Sequence, residues 1–356
     1  MKIRAFITHK MCEQYADCQD RYCINEDNRC IALSDGMSQS IFPDYWAEIL
    51  AEQYAKEGHC DDEDRKRLCS LWIQRVIKYR DEQIELGKDP WKLDNFLASR
   101  KGAGATICGV RFENATDWKG DVLGDSCIIK INTKELTIEI LTSEKKAFDS
   151  FPDFYDSYAE KPGRGTIMSF EGSISPDDIL LLVSDPFSEY IANNKENAQE
   201  LIGELQKLGN HKDYCKLVDD WRAKGMHNDD STLCVIEYDG DINMNVKHQD
   251  NISILMEEEK EEEKVEISVL QDEVLVDEES SKQKTIDTIK ENESKEVKIS
   301  QSGDLQVFFN IVIKEIEALI SRFNNKKYKK DNIKKHDIMK IRERITNEYE
   351  NLTTSD

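Results

Sequence analysis

The chain has 356 residues, with 49 Lys and Arg against 72 Asp and Glu and a formal net charge of -23. That length allows one large domain or two ordinary ones, and 38% hydrophobic against 34% charged residues place part of the chain outside a packed core. Such acidity excludes generic nucleic-acid binding and attraction to anionic lipid, and apolar runs such as Ile179–Val183 fall far short of the roughly 20 residues that span a bilayer.

The N-terminus, MKIRAFITHK, holds no sustained apolar stretch, so we expect no signal peptide and a cytoplasmic protein. KIRAFITH and RYCIN read as short strands, and CIALSD as a buried strand ending in an acidic residue. Helical spacing follows from Tyr45 to about Ala55 and from Asp61 to about Leu86. ATICGVRF (105–112), SCIIKIN (126–132) and the alternating ELTIEILT (135–142) are strands. An aromatic-rich stretch (143–171) precedes DILLLVSD (178–185), a fully apolar strand that again ends in aspartate. Asn193 to Leu208 is helical, and TLCVIEYD (232–239) closes the series. Hairpin-like strands with helices inserted in blocks predict an α+β fold with antiparallel sheets.

Composition changes near residue 240. Residues 241–300 carry a net charge of -10 and no tryptophan, tyrosine or phenylalanine. Such a stretch buries too little apolar surface to offset its ordering entropy, so it reads as a disordered linker. From 301 to 356 apolar residues recur at three- and four-residue spacing around a basic connector, KKYKK (326–330). This predicts a helical hairpin, a candidate for packing back on the main domain, for self-association or for docking a protein partner. The ten cysteines form no CxxC pair and are read as reduced, mostly core thiols.

Three apolar strands lead into or out of aspartates: Asp35 with Gly36 after CIALS, Asp185 after LLLVS, and Asp229 with Asp230 before the last strand. Asp20 precedes RYCIN, and Asp125 precedes SCIIKIN. An aspartate at the end of a buried strand is costly unless its charge is compensated. Several converging at one sheet edge call for divalent cations. Oxygen-only ligation favours Mg²⁺ or Mn²⁺ over zinc, and two such ions can acidify a water and hold phosphoryl oxygens.

In order, CQD (18–20), SDGM (34–37), GAT (104–106), GDS (124–126), SDP (184–186) and DDST (229–232) resemble the PPM family, the metal-dependent type 2C-like Ser/Thr protein phosphatases, in a divergent bacterial-type form. The resemblance covers about residues 1–240 and implies a β-sandwich of two antiparallel sheets flanked by helices. It implies two or three Mn²⁺ or Mg²⁺ ions and hydrolysis of phosphoserine or phosphothreonine in a protein substrate. By the same resemblance Asp35 bridges both metals, Gly36 offers its carbonyl, and Asp185 and Asp229 complete the first metal. Asp20 orients water, Asp125 joins a third metal, and Thr232 closes the last motif. Asp230 stands where the family usually has asparagine and ranks below Asp229.

Three departures bear on substrate binding. The arginine that usually precedes the first acidic motif is Tyr15 here, with Arg4, His9, Lys10 and Arg21 as candidate replacements. DGMGG becomes DGMSQ, and SDG becomes SDP. Within 143–171, which lies where the family carries its variable flap, Lys161 and Arg164 are candidate phosphate-binding cations. The alternative to an active phosphatase is a pseudophosphatase that serves as a binding or regulatory module.

Overall fold

The computed structural model describes residues 1–143, 152–161 and 163–261. Its centre is two facing sheets. The first holds β1 (Lys2–Thr8), β7 (Cys127–Asn132), β8 (Thr137–Leu141), β11 (Asp178–Val183), β12 (Ser231–Glu237) and β13 (Asn245–Gln249), in the order β13-β1-β12-β11-β7-β8. The second holds β2 (Arg21–Asn25), β3 (Cys30–Ser34), β5 (Ile107–Phe112), β6 (Asp117–Leu123) and β10 (Met168–Ser173), in the order β10-β6-β5-β3-β2. Pairing is antiparallel except between β1 and β13, which run parallel. A small ribbon pairs β4 (Gly104–Ala105) with β9 (Tyr155–Asp156).

Both faces of each sheet are covered, which explains why β11 is apolar throughout rather than alternating. Leu180 and Leu182 enter the core between the sheets with Ile3, Val110, Val122 and Ile236. Ile179, Leu181 and Val183 turn the other way, onto Phe187, Tyr214 and Trp221. Those three come from α4 (Asp185–Asn193) and α6 (His211–Ala223), which with α5 (Ala198–Leu205) cover the first sheet. The second sheet is covered by α1 (Pro43–Glu57) and α2 (Asp62–Glu85), through Trp46, Leu50, Tyr54 and Trp72. The layers therefore run helix, sheet, sheet, helix, as expected of the α+β sandwich.

Some elements go beyond the sequence expectation. In β6, DWKGDVL, charges and a glycine obscure the alternation, yet Trp118, Gly120 and Val122 all face inward. A Cβ on Gly120 would stand 2.5 Å from Ile128 Cδ1 of the facing sheet and 2.9 Å from the Gly109 carbonyl oxygen, so close approach requires glycine. α3 (Trp91–Ala98), β10 and α6 were also unforeseen, although Tyr214, Leu217, Val218 and Trp221 keep helical spacing behind the Asn210 cap. The SDP turn is the first turn of α4, where the N–H that Pro186 lacks has no helical partner to lose.

Past residue 240, where the expected linker begins, β13 pairs with β1 and residues 252–261 are helical. The remainder of that stretch, 262–300, and the expected hairpin at 301–356 lie outside the described residues.

Leu182→Ala, which empties space between the sheets, is expected to cost about 2–5 kcal/mol in urea unfolding. Leu136→Gly is expected to be neutral or stabilising, because Leu136 is exposed in the β7–β8 turn with φ of 53°. Equal losses at both positions would contradict this packing.

Candidate metal centre

The strand registers bring five acidic turns to one end of the sandwich. Arg21 pairs with Ser34, Leu33 with Cys108, and Val183 with both Cys127 and Leu233. Asp20, Asp35, Asp125, Asp185 and Asp229 therefore stand just beyond neighbouring strand ends. Asp35, Gly36, Asp125, Asp185 and Asp229 line one cleft of about 710 Å³, together with Glu189, Thr106 and His227.

Small hydroxyls fix these ends. The Ser34 hydroxyl donates to the Thr106 carbonyl (2.6 Å), and the Asp35 N–H donates to Thr106 Oγ1 (3.0 Å). The Thr232 N–H donates to Ser184 Oγ (2.9 Å), and the Ser184 N–H donates to the Thr232 carbonyl (3.1 Å). A Cβ on Gly36 would fall 2.8 Å from both the Gln19 carbonyl oxygen and Pro43 Cβ, so glycine lets the Asp20 turn close against β3.

The charges are poorly compensated. Asp20 is fully buried; its Oδ2 accepts from the Thr232 hydroxyl (2.7 Å), while Oδ1 is buried with no partner among the described residues. Burial, then the charge of Asp230, push its carboxyl up to about 7 against the hydrogen bonds from Thr232 and Ser184. Burial and the charges of Asp20, Asp185, Asp125 and Asp229 hold Asp35 well above the usual carboxylate range. Asp185 is raised in the same way, by burial and then by Asp125, Asp229 and Asp20.

Among the candidate cations, Lys10 reaches this cluster. Its Nζ lies 2.9 Å from Asp229 Oδ1 and donates to Ser38 Oγ (2.8 Å). Burial would lower its ammonium, but Asp229 outweighs that and holds it well above its ordinary value. Arg4 is held by Glu237 (3.1 Å) and the Leu208 carbonyl and does not line the cleft. Arg21 binds the carbonyls of Cys18 and Asp20 and faces Asp44. His9 faces Glu259. Tyr15 is buried, with its hydroxyl on His211 Nε2 (2.8 Å). Lys161 binds the Arg100 carbonyl, and Arg164 lies 3.5 Å from Asp153. Of the 143–171 stretch, Pro152 lines the cleft, while residues 144–151 and 162 are outside the described residues. Asp230 accepts from the N–H groups of Lys10 (3.0 Å) and Gln19 (2.7 Å), tying two turns together.

His227 was missed in the sequence. It offers a nitrogen that, with oxygens of Asp185 and Asp229, forms a group whose ligand atoms all lie within 4.8 Å of one another. Its place two residues before Asp229 was the available signal. Cys23 and Cys69 each stand six residues before an arginine, the spacing of cysteine phosphatases, but they lie within β2 and α2 rather than in a phosphate-binding loop.

The donor set fits a divalent cation: hard carboxylates at strand ends, one imidazole and an orphaned buried oxygen on Asp20. In a second group, His59 with Asp61 and Asp64, the two aspartates already form the capping box of α2 and His59 Nδ1 lies 2.8 Å from Asp64 Oδ2.

No family model and no curated protein matches the chain. Similar solved structures include a bacterial serine phosphatase (18% identity, 67% of this chain and 98% of that one, TM-score 0.44). Another is the serine/threonine phosphatase Stp1 from Staphylococcus aureus (18%, 67% and 95%, 0.44). A third is the photosystem II phosphatase PBCP (15%, 67% and 98%, 0.42). The likeness is one of fold. No described helix is long and apolar enough to cross a membrane.

Carboxylates that hold protons more tightly folded than unfolded make stability fall as pH rises. For Asp20 that window runs from its ordinary 3.8 to about 7 and amounts to on the order of 4 kcal/mol. In chelator, the melting temperature is expected to drop between mildly acidic and mildly alkaline pH, and Asp35→Asn is expected to raise it at the alkaline end. A flat profile would show that the carboxylates do not repel.

Proposed function

We propose that the described chain is a metal-dependent protein phosphatase acting on phosphoserine and phosphothreonine. The observation that carries this reading is the cleft itself. Asp35, Asp125, Asp185, Glu189 and Asp229 line it, so it would repel a phosphate monoester unless cations stand between. Asp35, Asp185, Asp229 and the Gly36 carbonyl would hold two Mn²⁺ or Mg²⁺ ions, with Asp125 serving a third. Such ions, when bound, neutralise phosphoryl oxygens and lower the pKa of water.

The chain's own groups then divide the work. Asp20 Oδ2 is pinned by Thr232, which leaves Oδ1 to accept a proton near neutral pH. Lys10 orients Asp229 and places an ammonium at the cleft edge, where an arginine is missing at Tyr15. His227 adds an imidazole ligand and so favours Mn²⁺ over Mg²⁺.

Two contacts favour the pseudophosphatase reading. Lys10 already pairs with Asp229, and the Tyr15 hydroxyl is engaged with His211, so neutralisation of the cleft is partial and the usual phosphate anchor is absent.

The full chain is expected to hydrolyse a phosphothreonine peptide with Mn²⁺, more slowly with Mg²⁺, and not in chelator. Asp35→Asn or Asp185→Asn should lower kcat by at least about 10²-fold. Folded protein that binds Mn²⁺ without turnover would establish the pseudophosphatase instead.

A further inference from the structure

A second polar constellation joins the start of α6 to the end of β13, apart from the residues lining the cleft. Asp250, with 2% of its side chain exposed, lies between two imidazoles. Its Oδ2 is 2.7 Å from His211 Nδ1 and accepts from the Ile7 N–H (3.0 Å), while Oδ1 is 2.8 Å from His248 Nε2. His211 is the first residue of α6, and Cys215 stands one turn further along. His211 Nε2 lies 3.2 Å from Cys215 Sγ and 2.8 Å from the Tyr15 hydroxyl.

Burial alone would lower the His211 imidazole, but its bonds to Asp250 and Cys215 push it up to about 10. One ring nitrogen faces the carboxylate, and the other faces both the phenol and the sulfur. A thiol 3.2 Å from an imidazole nitrogen, with a carboxylate orienting the far side of the ring, has the geometry of a nucleophile paired with a base. Other groups near this network are Glu259, which accepts from the Tyr15 N–H, and His9, packed on the Tyr15 ring.

The remaining cysteines lack this setting. Cys18, Cys30, Cys60, Cys69, Cys108, Cys127 and Cys234 are buried, and Cys12 is exposed. Cys23 is half-buried like Cys215, but burial and the charges of Glu52 and Glu48 push it up to about 11.

We propose that Cys215 is a selectively reactive thiol, activated by His211 and Asp250, and a site of oxidation by hydrogen peroxide. As the Cys215 proton passes to His211 Nε2, the sulfur attacks one peroxide oxygen; the S–O bond forms as the O–O bond breaks, and sulfur gives up two electrons. The departing hydroxide takes the Nε2 proton of His211 and leaves as water. Thiol and peroxide thus become sulfenic acid and water. The site needs no metal and stands independently of the phosphatase reading.

The test is competitive labelling of the full chain, with limiting iodoacetamide at slightly acidic pH or with equimolar peroxide followed by dimedone, read by peptide mass spectrometry. Cys215 is expected to react at least ~10-fold faster than the more exposed Cys12. His211→Asn should bring Cys215 to the rate of Cys12 or below, and Cys215→Ser should remove the dimedone adduct. Wild-type protein in which Cys12 reacts as fast as Cys215 would overturn the proposal without recourse to any variant. So would an unchanged Cys215 rate in folded His211→Asn.

Discussion

Mutual repulsion among carboxylates at one end of a sandwich is the constraint on which the site depends. The sheets supply rigid strand ends, and the strand registers decide that those ends share a side. Burying the strands takes Asp20 out of water and half-buries Asp35 and Asp185; the charge of Asp20 raises the proton affinity of both, and Asp185 raises that of Asp35. Small hydroxyls at Ser34, Thr106, Ser184 and Thr232 hold the backbone in this costly arrangement. A fold that gathers so much negative charge and answers it with Lys10 has room for further cations.

Much of the sandwich was legible because its strands are buried on both faces. DILLLVSD and CIALSD read as strands without any need for alternation, and the aspartate after each could be seen. β6 was not legible, since Lys119, Gly120 and Asp121 break the pattern and only the facing Ile128 shows why glycine sits there. α6 carried a clear helical stripe that went unread behind the acidic residues around it. Pro186 stood out as a departure from the family pattern, yet as the second residue of α4 it costs nothing.

Around the site, sequence showed residue types and structure showed partners. Lys10 stood among four candidate cations, and nothing local distinguished it; its partner Asp229 is distant in the chain. Arg4 and Arg21 looked equivalent to it, yet the fold commits each to other groups. His227 lies two residues from Asp229 and was passed over because expectation had settled on oxygen ligands alone. Tyr15 was legible as a departure from the family pattern, but its link to His211, and through it to Asp250 and Cys215, joins segments that only folding brings together.

The central claim is that the carboxylate end is built to take divalent cations. Calorimetric titration of chelator-stripped protein with Mn²⁺, repeated in two buffers of different ionisation enthalpy, tests it most directly. The account predicts at least two bound ions, protons released from the raised carboxylates on binding, and loss of both signals in Asp35→Asn. Folded wild-type protein that takes up no Mn²⁺, or that binds it without releasing protons, would contradict it.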